Sequence, residues 1–203
     1  MRKSLAILAI IPMLLATGCG NSAKNDTATA QEQSIIEVPD FDGKIETAQD
    51  GVRTYTCPVY AISEQGDWKI DTDLKTAENV YFVSFANKET DQGDVTVTAY
   101  TAKNRNSIEK ECEQIKELCK SYNHGEQNDV TYMGYDAAKL TFENYQTGTD
   151  HQRVEYIVFD TGEALFQIAL FYNGDPSMYQ KYENYSGVLL KKLNIFTDNT
   201  EVK

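Results

Sequence analysis

From Gly51 to Tyr172 apolar residues recur at every second position in run after run. A period of two commits a chain to β-sheet, because successive side chains on a strand point to opposite faces. Residues 94–100 set Val95, Val97 and Ala99 against Thr96 and Thr98, the pattern of a half-buried strand. Residues 79–86 are apolar on both alternations, with Val80 and Phe82 on one side and Tyr81, Val83 and Phe85 on the other. That predicts a strand covered on both faces. Residues 51–62 and Trp68-Lys69-Ile70 predict a hairpin joined through Ser63-Glu64-Gln65-Gly66-Asp67. Residues 130–133 and 137–142 predict strands about a turn at Gly134, and residues 153–159 and 164–172 a hairpin around Asp160-Thr161-Gly162-Glu163.

Two stretches change period. Ile108, Cys112, Ile115, Cys119 and Tyr122 recur at alternating steps of four and three, with Leu118 beside them, the apolar face of a helix. Asn106 is placed to cap it, with Glu109 reaching back as a capping box, and Asn123-His124-Gly125 ends it. Asp175-Pro176 opens a second helix, with Asp as cap and Pro in the first turn. Its buried stripe is Tyr182, Tyr185 or Ser186, Leu189, Leu193 and Phe196. An antiparallel sheet interrupted by one amphipathic helix and closed by another belongs to the α+β class. Residues 51–197 have one domain's length and show no internal repeat; a domain of this size buries roughly 68–70% of its unfolded surface. Residues 198–203 are a short polar tail.

Three features together resemble the PsbP/Mog-type domain. They are Trp68-Lys69-Ile70 in the leading hairpin, the strand-turn-strand Thr131-Tyr132-Met133-Gly134-Tyr135-Asp136-Ala137-Ala138-Lys139-Leu140, and the tyrosine-rich hairpin with a last helix ending Leu193-Asn194-Ile195-Phe196. The resemblance covers nearly all of 51–197 and carries no catalytic signature. It implies an α/β/α sandwich, an antiparallel sheet flanked by helices, in a family used mainly for docking and assembly and found in many bacterial lipoproteins.

The N-terminus has its own pattern. Arg2 and Lys3 precede an apolar run, residues 5–16, interrupted only by Pro12. A spanning helix needs about 20 apolar residues, so the run is too short to remain in a membrane. It has the length, flanks and small-residue end of a secretory signal. The end, Leu15-Ala16-Thr17-Gly18-Cys19, resembles the bacterial lipobox, although Ala16 stands where that pattern prefers Leu. The resemblance implies that 1–18 is a signal peptide, that cleavage falls before Cys19, and that the Cys19 sulfur carries diacylglycerol. The chain would then sit on the outer face of the cell membrane, held by its lipid. Each buried CH₂ of such a lipid contributes about 0.8 kcal/mol, and a second acyl chain turns marginal binding into stable binding. The alternative is an ordinary signal peptide with Cys19 left free. Residues 19–50 are polar and small, with Ile35, Ile36, Val38 and Phe41 as the large apolar exceptions. Too little apolar surface is present there to offset ordering entropy, which predicts a flexible tether of roughly 30 Å reach.

Charge narrows the partners. The chain carries a formal net charge of −12, and losing Arg2 and Lys3 with the signal would take it to −14. Acidity of this size repels phosphate backbones and anionic headgroups, which argues against nucleic acid and leaves membrane contact to the lipid. It also keeps a surface protein soluble.

Candidate chemistry is sparse. Beyond Cys19 three cysteines remain, Cys57, Cys112 and Cys119. The last two lie seven residues apart on one helix, a rise of about 10.5 Å, beyond the roughly 7 Å limit for a disulfide. Cys57 could pair with one of them if strand and helix meet; otherwise the helical pair are small buried hydrophobes. The only histidines, His124 and His151, stand in turn-like stretches without a catalytic signature. Asp67, Asp71, Asp73 and Glu78 offer oxygen to a hard cation but lack EF-hand spacing, so a solvated acidic loop is the plainer reading. No metal or cofactor is expected. Thirteen tyrosines exceed what the core needs, and Tyr suits interfaces. Tyr81, Tyr156 and Tyr182 read as core residues; Tyr132, Tyr135, Tyr145 and Tyr172, near strand ends and turns, read as interface candidates, with Tyr132, Tyr135 and Tyr172 foremost. The expected function is non-catalytic binding or assembly with a protein partner in the cell envelope. An envelope-acting hydrolase and a small solute-binding lipoprotein remain as alternatives.

Overall fold

The computed structural model describes residues 43–71, 78–87, 93–145 and 151–197. The expected signal segment 1–18, Cys19, most of the expected tether, Asp73 and residues 198–203 lie outside the described residues. Among the described residues no helix is long and apolar enough to cross a membrane.

Two antiparallel sheets and two helices make up the fold. In chain order the elements are β1 (Lys44–Thr47), β2 (Arg53–Thr56), β3 (Tyr60–Ser63), β4 (Trp68–Asp71), β5 (Val80–Asn87), β6 (Gly93–Thr101) and α1 (Ile108–Leu118). There follow β7 (His124–Tyr132), β8 (Tyr135–Tyr145), β9 (His151–Asp160), β10 (Ala164–Gly174), α2 (Tyr179–Leu190) and β11 (Leu193–Ile195). The small sheet has the order β1-β2-β3-β11 and the large one β4-β5-β6-β10-β9-β8-β7. On one face of the large sheet, α1 buries Cys112, Ile115 and its capping residue Cys119 against Leu140, Phe142, Val154 and Tyr156. On the other face, Tyr60 and Ile62 of the small sheet and Tyr182 and Leu189 of α2 pack with Phe85, Val95, Val97, Phe166 and Ile168. That second layer is a helix together with a sheet, so the expected sandwich of one sheet between helices holds only in part.

The departures from expectation share this cause. The leading hairpin is not β3 with β4: β3 pairs with β2 and β11, while β4 pairs with β5 in the other sheet. The chain crosses between sheets at Gln65-Gly66-Asp67, where Gly66 takes a left-handed φ of 57°. The second helix stops at Leu190, so Leu193 is buried from a strand and not from the helical stripe. In that stripe Ser186 is buried and Tyr185 faces solvent. The strand 94–100 is a middle strand between β5 and β10, and Thr96 and Thr98 are buried along with Val95 and Val97. The strand 79–86 is instead fully buried on one alternation only, at Val83, Phe85 and Asn87. Ser107, not Asn106, caps α1 by accepting from the Lys110 amide; the Asn106 side chain donates to Glu111 and Gln114. Residues 124–129, expected in part to end that helix, begin β7. Lys44–Thr47, inside the expected tether 19–50, forms β1 against β2.

Polar tips join the layers. Tyr60 donates its hydroxyl to the Val97 carbonyl at 3.0 Å, Trp68 its indole N–H to Tyr185 at 3.1 Å, and Tyr182 its hydroxyl to Asp94 at 2.9 Å. Where β6 begins, a Cβ on Gly93 would lie 2.2 Å from the Phe171 carbonyl, so α2 and β10 close on it only because it is glycine. Glu64, buried between the sheets, accepts from the Arg53 guanidinium and the Ile70 amide, each at 2.8 Å. Burial alone would push the Glu64 carboxyl up, but the Ile70 amide and Arg53 outweigh it and hold it below the ordinary Glu value. A carboxylate with a depressed folded pKa stabilises the fold above its unfolded pKa of about 4.3, and that contribution is lost as pH falls further. Urea unfolding should therefore show stability falling steeply below about pH 4.3, with a slope shallower in Glu64→Gln by up to about 1.4 kcal/mol per pH unit. Parallel profiles for the two proteins would remove Glu64 from this role.

Candidate binding face on strands β7 to β9

In-register partners share a face, which places the side chains at the open end of the large sheet. His124, Glu126, Asn128, Val130 and Tyr132 of β7 stand beside Glu143, Thr141, Lys139, Ala137 and Tyr135 of β8. Arg153, Glu155, Ile157 and Phe159 of β9 continue the same face, which is the one that α2 and the small sheet cover further along. Over β7 and β8 that cover is incomplete: His124, Glu126 and Asn128 are exposed, and Lys139 and Glu143 half-buried.

The face has two ends. At the hairpin end, Tyr132 and Tyr135 lean on the buried ring of Phe159, with centroids 5.3 and 5.7 Å away. Both are half-buried, and burial pushes the Tyr132 hydroxyl up to about 12. Between them Met133 and Gly134 both take positive φ, 53° and 87°, the geometry of the tight turn that suits the twist of a hairpin. Met133 is 48% exposed there.

At the other end lies a charged network. Arg153 donates to both Glu143 and Glu155, and Lys139 reaches Glu155 at 3.0 Å. The Tyr179 ring of α2 lies over the Arg153 guanidinium at 4.1 Å, a cation–π contact. Burial opposes ionisation of Glu155, but Arg153 and Lys139 hold its carboxyl below the ordinary value. Buried His151 stands 3.8 Å from Glu143. Outside the network a cleft of about 390 Å³ opens, lined by His124, Gly125, Glu126, Thr141, Glu143 and Arg153. Its walls offer carboxylates, a hydroxyl and a guanidinium, which suits the binding of a polar group.

Of the three foremost interface candidates, Tyr132 and Tyr135 lie together on this face. Tyr172 does not belong with them: it is 2% exposed, donates its hydroxyl to the Asp175 carbonyl, and packs against Tyr179 and Tyr182. Strand-end position misled, because α2 folds back over that end. The side chain of Tyr145 lies outside the described residues. Sequence reasoning passed over Glu143, Arg153 and Glu155, although the pair Arg153 and Glu155, two apart in an otherwise apolar strand, marks charge on a covered face.

The thiols are poor nucleophiles. Cys57, Cys112 and Cys119 are buried and unbridged, and burial pushes Cys57 and Cys119 up to about 11. Cys57 belongs to the core under the small sheet and the helical pair to the core under α1, on opposite faces of the large sheet, so no bridge between them is possible. Among the described residues no group of three or more His, Cys, Asp or Glu could hold a metal ion.

No family model matches the chain, and no curated protein does. Solved structures of PsbP-like and Mog1 proteins do resemble it. With cyanobacterial PsbP from Synechocystis the identity is 8% and the TM-score 0.43, over 79% of this chain and 96% of that one. LpqN, involved in cell envelope biogenesis of Mycobacterium tuberculosis, gives 11% and 0.44 over 76% and 91%. The Saccharomyces cerevisiae Ran-binding protein Mog1p gives 9% and 0.42 over 76% and 96%. A Bacteroides thetaiotaomicron structure gives 15% and 0.42 over 70% of this chain, which spans 46% of that longer one.

Breaking a buried ion pair from one side leaves an uncompensated charge, at a cost of about 3–5 kcal/mol. Arg153→Met should therefore lower the unfolding free energy by about 3 kcal/mol, and adding Glu155→Leu should restore most of it. Equal stability of Arg153→Met and the parent would show that the network does not hold Glu155.

Proposed function

We infer that the chain is a lipid-anchored module on the outer face of the cell membrane, which binds a protein partner through the β7–β9 face and catalyses nothing. The observation that carries the binding reading is that one end of a well-filled sheet is left uncovered, and that face carries two half-buried tyrosines at its hairpin end and a polar cleft at its other end. Interface anchors are rich in Tyr, Trp and Arg, and Tyr132, Tyr135 and Arg153 share this face. The anchor rests on the signal-like N-terminus ending Thr17-Gly18-Cys19. The thiols support the non-catalytic part, since each is buried with its pKa raised.

Intact mass of the membrane-extracted protein should show a chain beginning at Cys19 with acyl mass added, and Cys19→Ala should release it. Crosslinking of the anchored protein in the cell should capture one protein partner, and Tyr132→Ala or Tyr135→Ala should weaken that complex by more than about 1 kcal/mol. A purified chain that hydrolyses envelope material, with the activity lost on one point change, would overturn the reading.

A further inference from the structure

Among the described residues β7 ends the large sheet and pairs over nine positions with β8 on one side only. Among the described residues the other sheet edges are short: β1 and β4 have four residues and β11 has three. Groups bonded to a neighbour alternate along an antiparallel strand, so about half of the β7 N–H and C=O groups point away from β8. The strand has no Pro and keeps unbroken register, so its outer edge can template another strand.

The side chains select what could add there. Glu126 and Asp129 project from opposite faces of β7. Glu126 lines the cleft with Glu143 and Arg153. Arg153 and Lys139 are held by Glu143 and Glu155, whereas Glu126 makes no ion pair among the described residues. A second copy would bring the same two acids against themselves, in a chain already at −12. The chain's own segment 19–42 holds Asp26, Glu32, Glu37, Asp40 and Asp42 against Lys24 alone, and is mismatched for the same reason. A basic strand meets the opposite condition.

We propose that β7 is the docking edge for an extended basic segment of a partner protein, which adds as an eighth strand and lays a Lys or Arg side chain into the cleft against Glu126 and Glu143. The proposal rests on the binding-module reading and names its partner's chemistry. In strand addition the main chain supplies affinity and pockets for alternate side chains supply specificity. A residue opposite Glu126 on the added strand would place its Cβ about 5 Å from that of Glu126, on the face where the cleft opens.

The test uses the full chain in detergent and a labelled peptide of alternating Lys and Thr, with its Glu–Thr counterpart. Two further peptides carry backbone N-methyl groups on one alternate set of residues or the other. The Lys peptide should bind and the Glu peptide should not. One N-methyl set should weaken binding about tenfold or more while the other has little effect, because only one set faces β7. Glu126→Lys, at an exposed position, should weaken it to a similar degree with an unchanged melting temperature, and exchange should slow at the amides among residues 125–132 that point away from β8 only when the Lys peptide is present. Equal binding of both N-methylated peptides, or of Glu126→Lys, would overturn the proposal. So would protection, without peptide, of the β7 amides that point away from β8, which would mean that a second copy or the chain's own segment occupies the edge. A partner crosslinked at Tyr132 or Tyr135 with β7 exchange unchanged would remove this proposal and leave the binding module standing. No peptide binding and no crosslinked partner would remove both.

Discussion

The pairing of Glu64 with Arg53 is the constraint on which the two-sheet arrangement turns. Glu64 follows β3, Arg53 belongs to β2, and the Ile70 amide that also serves the carboxylate belongs to β4, so one buried acid ties the β2–β3 hairpin of the small sheet to the first strand of the large one. Arg53 completes the link by donating to the Ile70 carbonyl. An ion stripped of water costs several kcal/mol unless its partners are in place, so the sheets have a strong reason to meet in one register and little freedom to slide. Tyr60 and Trp68 then add neutral hydrogen bonds from side chains that are otherwise apolar filling.

Uneven cover follows from that arrangement, and the candidate face follows from uneven cover. The small sheet and α2 lie over the β5, β6 and β10 part of the large sheet, and what remains beyond them must be made tolerable to water. The chain does this gradually. Phe159 is shielded by Tyr132 and Tyr135, Glu155 by Arg153, Lys139 and Tyr179, and on this face of strands β7 to β9 the exposed side chains among the described residues belong to β7. Arg153 is thus tied into the ion pairs that hold Glu155, while Glu126 makes no ion pair among the described residues.

The period of two was legible, and so was most of the strand content. Val95 and Val97 announce a strand whatever surrounds them. What could not be read was which strands share a sheet, because a residue such as Ile62 looks the same whether it pairs with Tyr55 beside it or with Leu193 far along the chain. The helical stripe ran on through Leu193 for the same reason: an apolar residue three or four places on satisfies a helix pattern even where the chain has turned into β11. Of the candidate face, the tyrosines flanking the Met133-Gly134 turn were visible because turn chemistry is local. Tyr172 was misplaced because its burial depends on α2, which only the folded chain brings over it. The charges of β9 were overlooked because a covered strand is expected to be apolar.

The closing of the small sheet has a consequence in time. β7 to β10 follow one another as neighbours, so hairpins can form there as soon as each strand exists, at little loop-closure cost. The third and eleventh strands are joined across nearly the whole domain, and Ile195 meets Tyr60 only after everything between has been made. On a ribosome, or threading through any pore from its N-terminus, the chain therefore holds a partnered β2–β3 hairpin with one raw flank until Leu193–Ile195 emerge. β11 latches the small sheet, and a chain truncated before Leu193 would leave that flank of β3 open.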